Sequence, residues 1–399
     1  MRIYFDHNAT TPVAEEVADA LARATRDLFG NASSVHAFGQ QAKAAMDEAR
    51  SAVAALLAAE ASDVVFTSGG TEADNLAIRG AAEAREAAGR RHLIASAIEH
   101  EAVLNTLKAM ARRGWRTTLL PVDAGGLVAP DALRGALADD TALVSVMHAN
   151  NEIGTVQPIA ELAALAHERG AIFHTDAVQS AGKIPMDVRA LGVDLLSISA
   201  HKFYGPKGTG ALWIRRGLRL VPQMTGGRHE RNRRAGTENV PGLAAMGVAA
   251  AHAAAAQAAD AARIGALRDR LEAGILARIA GTAVNGVRAP RVPNTTNVSF
   301  DRVEAESLLI ALDLEGVAVS TGSACSSGAL EPSHVLRAMG LSAHRTQNSI
   351  RFSLGSGNTE AEVDHVLDLL PRLVDKLRAL TGNWERGIRN EELGMRNEE

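Results

Sequence analysis

The 399-residue chain has one cysteine, Cys325, and this scarcity excludes an internal disulfide and any zinc or iron–sulfur site built from several thiolates. Long hydrophobic runs are also missing: nothing approaches the ~18 uninterrupted apolar residues of a membrane span. The N-terminal MRIYFDHNATTP has no apolar segment behind a basic start. A cytoplasmic protein with no membrane partner is therefore expected. An excess of positive charge is lacking as well. The formal net charge is −4, with Lys and Arg scattered, so no nucleic-acid partner is expected. Of the 13 histidines, His100 precedes Glu101 as a zincin motif would require, but Leu104 stands where the second histidine belongs. No metal site is expected. Walker A and GxGxxG strings are absent, which leaves ATP and dinucleotides poorly supported, and no repeat of solenoid length is visible.

What is present is a large apolar content, 46% of residues, enough for two domains. Seven short apolar runs, VVFTS, HLIAS, TTLLPV, ALVSVMHA, AIFHTD, LLSISA and GALWI, alternate with Ala-rich helical stretches such as AELAALAHERG. That alternation predicts an α/β fold with a mostly parallel seven-stranded sheet buried on both faces. The Ala-rich region from about Val240 to Ile279 reads as helices bridging two domains, and TTNVSF, VAVST and SIRFSL are strand candidates of a smaller α+β domain. The expected division is a large domain over 13–257, a small domain over 1–12 and 258–382, and a disordered charged tail over 383–399.

Polar residues gather where these runs end. In SISAHKFYGPKG the strand closes on Ser199, His201 and Lys202, and ligands of open α/β sheets bind at such carboxyl ends. Lys202 reads either as a solvated loop lysine or as a Schiff-base amine whose surroundings lower its pKa. AIFHTDAVQSAG presents Asp176 and Gln179 in the same way; Asp176 suits either a helix N-cap or a carboxylate beside a pyridine nitrogen. In VVFTSGGTEADNLAI the Gly69-Gly70-Thr71 turn opens a helix, which suits phosphate; Thr71 with Asp74 also fits a capping-box-like pair. His100 is open to a structural or a proton-shuttling role. Cys325 lies in STGSACSSGALEPSH, whose Ser and Gly content predicts a mobile, exposed loop, although free cysteines are usually small buried hydrophobes.

Taken in order, YFDHNATTP, GNASSVHAFG, TSGGTEADN, EHEAV, MHANNEIGTVQP, FHTDAVQSAGK, SAHKFYGPKG, RRAGTENV, STGSACSSGALEPSHVLRAMG and IRFSLG resemble the cysteine desulfurases of the NifS/IscS group, in the class V (fold-type I) aminotransferase family. The resemblance spans nearly everything except the tail. It implies a fold-type I transferase whose large domain binds pyridoxal 5′-phosphate (PLP), with L-cysteine as substrate, a homodimer, and a sulfur-acceptor or iron–sulfur scaffold protein as partner. By the same resemblance Lys202 is the Schiff-base lysine, Asp176 pairs with the pyridine nitrogen, Gln179 bonds the ring oxygen and His100 stacks on the ring and assists proton transfer. Gly70, Thr71, Ser199 and His201 would hold the phosphate, with Thr237 supplied by the partner subunit. Asn151 would lie near the ring oxygen and substrate, Arg351 would clamp the substrate carboxylate, and Cys325 would receive the sulfur as a persulfide. Ala32 departs from the family's usual proline in GNPSS. The rival readings are a selenocysteine lyase or another class V aminotransferase, and a non-catalytic sulfur carrier or scaffold.

Overall fold

The computed structural model describes residues 2–322 and 332–395, with its strands as β1 (Ile3–Tyr4), β2 (Val64–Thr67), β3 (His92–Ser96), β4 (Arg116–Leu120), β5 (Thr141–Ser145), β6 (Ile172–Asp176), β7 (Leu195–Ser199), β8 (Gly210–Ile214), β9 (Thr282–Val284), β10 (Thr295–Phe300), β11 (Val317–Ala318) and β12 (Ser349–Ser353). The seven apolar runs become β2 to β8, one sheet in the order β2-β8-β7-β6-β5-β3-β4. Only β8 runs against its neighbours, antiparallel to β2 and β7, while the other pairs are parallel. Six of these seven strands are buried along their whole length, because the sheet is covered on both faces. Phe66, Ile94, Val144, Phe173, Leu196 and Trp213 enter one core with the helices Ala37–Leu56 and Ile159–Glu168. Their chain neighbours Val65, Leu93, Leu143, Ile172, Leu195 and Leu212 enter another with the helices Gly70–Glu86 and Glu101–Arg112.

A smaller α+β domain is built on the antiparallel order β12-β10-β9. Its core takes Ile3 and Phe5 from the N-terminus, which joins it because β1 pairs in parallel with β11. The Ala-rich stretch forms one continuous helix, Val240–Arg278, of 39 residues. Its first half contributes Leu243, Met246 and Ala250 to the large core, and its second half contributes Ile264, Leu271 and Ile275 to the small one. By length and composition this helix could cross a membrane. Here its small residues serve packing instead: a Cβ on Gly247 would lie 2.6 Å from Ala49 Cα, so the two helices meet backbone to backbone.

Helix Glu360–Met395 is continuous from the small domain into the region 383–395. Extending an anchored helix fixes one residue for each added hydrogen bond and avoids the cost of a new nucleus. Its earlier turns are anchored through Val363, Val366, Leu370 and Val374 in the small core.

The large domain also encloses an ion pair. Arg50 holds Glu230 through two hydrogen bonds of 2.7 Å, and Glu230 accepts the Phe66 N–H at 2.9 Å, with both side chains buried. Breaking such a pair strands one charge, so Glu230→Ala is expected to cost about 3–5 kcal/mol. Replacing both partners by apolar residues of similar volume should cost far less, and urea unfolding of the two variants checks the difference.

Candidate active site

Because β2, β3, β5, β6 and β7 point the same way, their carboxyl ends open on one edge of the sheet. A cavity of about 390 Å³ lies there, lined by Gly70, Thr71, His100, Asn151, Asp176, Gln179, Ser199, His201, Lys202 and Arg351. These are ten of the twelve residues singled out from sequence. Thr237 does not line the cavity of its own chain and is exposed just before the long bridging helix. Cys325 lies outside the described residues, as does most of the loop expected to be mobile, 323–331. Gly322, three positions before Cys325, lines the cavity, and Ser320 bridges to Arg351. On the far side of the same segment, Ser333 donates to buried Glu152 at 2.5 Å.

Lys202 follows β7 in a short 3-10 turn and donates from Nζ to the carbonyls of Asn8 at 2.5 Å and Ala9 at 2.7 Å. Burial, then the neighbouring Arg351 guanidinium, pushes its amine down to about 8, against the pull of Asp176 and Asp6. Lys202 is half-buried at the cavity wall rather than standing free in solvent. Burial holds the Asp176 carboxyl above the usual range, opposed by His100 and Lys202. No helix begins at Asp176; its Oδ1 accepts the Val178 N–H at 2.9 Å in an Asx-type turn.

At the end of β2 the helix Gly70–Glu86 has Gly69 as N-cap with no side-chain capping bond. Its first N–H groups lack intrahelical acceptors and the dipole favours an anion. Thr71 is therefore inside the helix rather than at its cap, and Glu72, not Asp74, reaches back to the Ser68 N–H at 2.8 Å. Gly70 is required by proximity, since a Cβ there would meet Val178 Cγ2 at 2.8 Å. His100 is both a cap and a lining residue: its Nδ1 accepts the Ala102 N–H at 3.1 Å, which leaves the proton of the neutral ring on Nε2. His201 contacts Thr10 Oγ1 through Nδ1 at 3.1 Å, and burial with nearby Lys202 lowers its pKa to about 4.

Arg351 is 3% exposed, donates to Asp6 at 2.6 Å and to the Asn151 carbonyl at 3.0 Å, and keeps a buried Nε with no partner. An orphaned guanidinium donor on this wall suits an incoming carboxylate. The donor set also fits PLP: an amine of lowered pKa for its aldehyde carbon, a buried carboxyl for its ring nitrogen, and an uncapped helix N-terminus for its phosphate.

Sequence reasoning missed several groups here. Asp6, Asn8 and Ala9 line the cavity from the N-terminal segment, and their only signal was the DHNA within YFDHNATTP. Beneath Asp176, His174 bridges Ser145 at 2.8 Å and Ser197 at 3.0 Å, with Asp74 at 3.5 Å. Burial lowers the His174 pKa to about 3. Glu99, next to His100, accepts from Ser96 Oγ and the Met147 N–H, and burial raises its pKa to about 8.

Comparison with known proteins agrees with this architecture. Residues 3–366 match the model of the class-V aminotransferases. The cysteine desulfurase IscS of Dictyoglomus turgidum is 49% identical over 95% of this chain and 96% of its own length. A solved NifS-like protein superposes with a TM-score of 0.88 at 37% identity, covering 94% of this chain and all of the other. A structure described as SspA in complex with cysteine gives a TM-score of 0.78 at 36% identity, over 89% of this chain and 99% of that one. With the fold, the cavity and full-length similarity in agreement, the chain belongs to the class-V aminotransferase family and, within it, to the cysteine desulfurases.

Proposed function

We propose that this enzyme takes sulfur from L-cysteine with the help of PLP, releasing L-alanine and leaving the sulfur as a persulfide on Cys325. The observation that carries this reading is the convergence of Lys202, Asp176 and Arg351 on one cavity, with Gly322 on its wall three residues before the chain's only thiol.

When bound, PLP supplies an electron sink for the carbanion formed at the substrate α-carbon. Lys202 would hold the cofactor through Nζ and, when not so engaged, would hold the substrate α-proton there. Asp176 would keep the ring nitrogen protonated, Gln179 and Asn151 would hold the ring oxygen, and Gly70, Thr71, Ser199 and His201 would hold the phosphate. His100 would move a proton through Nε2. Arg351 binds the substrate carboxylate. The Cys325 thiolate attacks the substrate sulfur and the C–S bond breaks toward carbon, which takes up a proton to become the alanine methyl group. The balance is L-cysteine plus Cys325 thiol giving L-alanine plus Cys325 persulfide.

The same reading makes the protein a cytoplasmic homodimer in which Thr237 serves the partner's cavity. Exposed Phe29, Val35 and Phe38, at 70%, 93% and 54% accessibility, support a further interface on the surface. The sulfur then passes to an acceptor protein such as an iron–sulfur scaffold. The proposed domain limits are 13–257 for the large domain and 1–12 with 258–382 for the small.

Equimolar L-alanine and sulfide from purified protein, L-cysteine and a reductant is the expected assay result; sulfide with pyruvate in place of alanine contradicts it. Arg351→Ala should raise the KM for cysteine by an amount equivalent to about 2–5 kcal/mol while altering PLP affinity little, because the lost contact is to the substrate carboxylate. Parallel measurement of KM and spectral PLP affinity checks this, and equal damage to both would move Arg351 to another role.

A further inference from the structure

We propose that Asn8 is a positioning residue for the lysine end of the cavity, its side chain pinning the backbone carbonyl on which the Lys202 amine and the Gln179 amide converge. This rests on the cofactor reading above and extends it to a residue on the N-terminal segment. The Asn8 carbonyl accepts from Lys202 Nζ at 2.5 Å and from Gln179 Nε2 at 2.9 Å. Its side chain is 2% exposed, so every polar atom on it must find a partner within the protein. Oδ1 accepts from Lys183 Nζ at 3.0 Å and Asn294 Nδ2 at 2.9 Å. Nδ2 donates to the Asn151 carbonyl at 3.0 Å and to Thr295 Oγ1 at 2.8 Å. Both lone pairs and both N–H bonds of the amide are thus used, and a flipped amide would face two donors with donors and a carbonyl with a carbonyl.

The network has a direction. Asn294, Thr295 and Ser353, which accepts the Asn8 N–H at 3.0 Å, belong to the small domain, whereas Lys183, Gln179 and Lys202 follow strands of the large sheet. Lys183 donates as well to Gln179 Oε1 at 2.8 Å, so it fixes which end of the Gln179 amide is presented. Asn8 is the point at which the small domain holds the amine that bonds the cofactor. An aspartate of the same shape cannot replace it, because a carboxylate oxygen would oppose the Asn151 carbonyl.

Two variants test this without touching Lys202. Asn8→Ala removes all four side-chain bonds. Thr295→Val keeps shape, removes one acceptor, and lies outside the cavity lining. The full chain, freed of cofactor, is mixed with PLP, and the visible absorption of the lysine-bound cofactor is followed in time. Affinity for pyridoxine 5′-phosphate, which has no aldehyde to bond a lysine, is measured beside it, with the melting temperature as a check on folding. Loosening a positioning hydrogen bond should slow the visible signal roughly tenfold in each variant, with pyridoxine 5′-phosphate affinity held within about threefold. Equal weakening toward both ligands, or a melting shift with unchanged kinetics, overturns the role of Asn8 alone. Absence of the visible signal in the wild type overturns the cofactor reading and the Asn8 role with it.

Discussion

Lys202→Ala is expected to abolish turnover and the visible absorption of the lysine-bound cofactor together. Two losses coincide in this variant. By the proposed roles, the amine that would bond the cofactor disappears, and so does the base that would hold the substrate α-proton; proton transfer by a positioned side chain alone is worth roughly 10²- to 10⁴-fold. Lys183, the other buried amine nearby, is committed to Asn8 Oδ1 and Gln179 Oε1 and does not line the cavity, so it offers no substitute. Phosphate binding at the Gly70–Glu86 helix should survive, leaving weak retention of PLP without the absorption band of the lysine-bound form. In the wild type, bonding requires the neutral amine. With burial and Arg351 holding Lys202 at about 8, its rate should rise with pH and level off above that value. A variant that keeps the visible signal after dialysis, or a wild-type rate that falls as pH rises through 8, would contradict this assignment.

The sheet was legible because its strands are buried on both faces. Runs such as Leu195–Ile198 leave no ambiguity of face to resolve, and the polar residues at or just past the strand ends, Asp176, Ser199 and Lys202, mark the open edge. The cap of the Gly70–Glu86 helix was misplaced by two residues: Thr71 and Asp74 have capping spacing, but Gly69 supplies the turn and Asp74 is buried at 1% exposure facing the cavity.

What the sequence did not disclose are contacts between distant parts of the chain. Asn8 meets Asn294 across 286 positions and Ser353 across 345, and nothing in local spacing pairs them. The rung of Ser145, His174 and Ser197 crosses three parallel strands, so each residue reads locally as an isolated polar interruption. Glu99 beside His100 carried no signal of its elevated pKa, because burial depends on the packing of Ser96 and Met147 around it.

Cys325→Ala should leave the cavity intact and remove sulfur transfer. The ten lining residues that sequence and structure share do not include the thiol, so PLP and L-cysteine should bind with affinities within about threefold of wild type, a change of under 1 kcal/mol. Persulfide formation has no alternative acceptor, since the chain holds one cysteine. Turnover to alanine should therefore fall by at least about a hundredfold, the scale of losing a positioned nucleophile or proton-transfer group. A transaminase on this scaffold would keep its rate in the variant, and a carrier without PLP chemistry would show no visible cofactor signal in either protein.

The most direct test is the mass of the peptide containing Cys325 after the PLP-loaded wild-type protein is exposed to L-cysteine without reductant. One added sulfur atom on that peptide, lost on treatment with a thiol reductant and matched by one equivalent of L-alanine, is the predicted result. Alanine formed with no added sulfur on the Cys325 peptide, or desulfuration at the wild-type rate by Cys325→Ala, would contradict it.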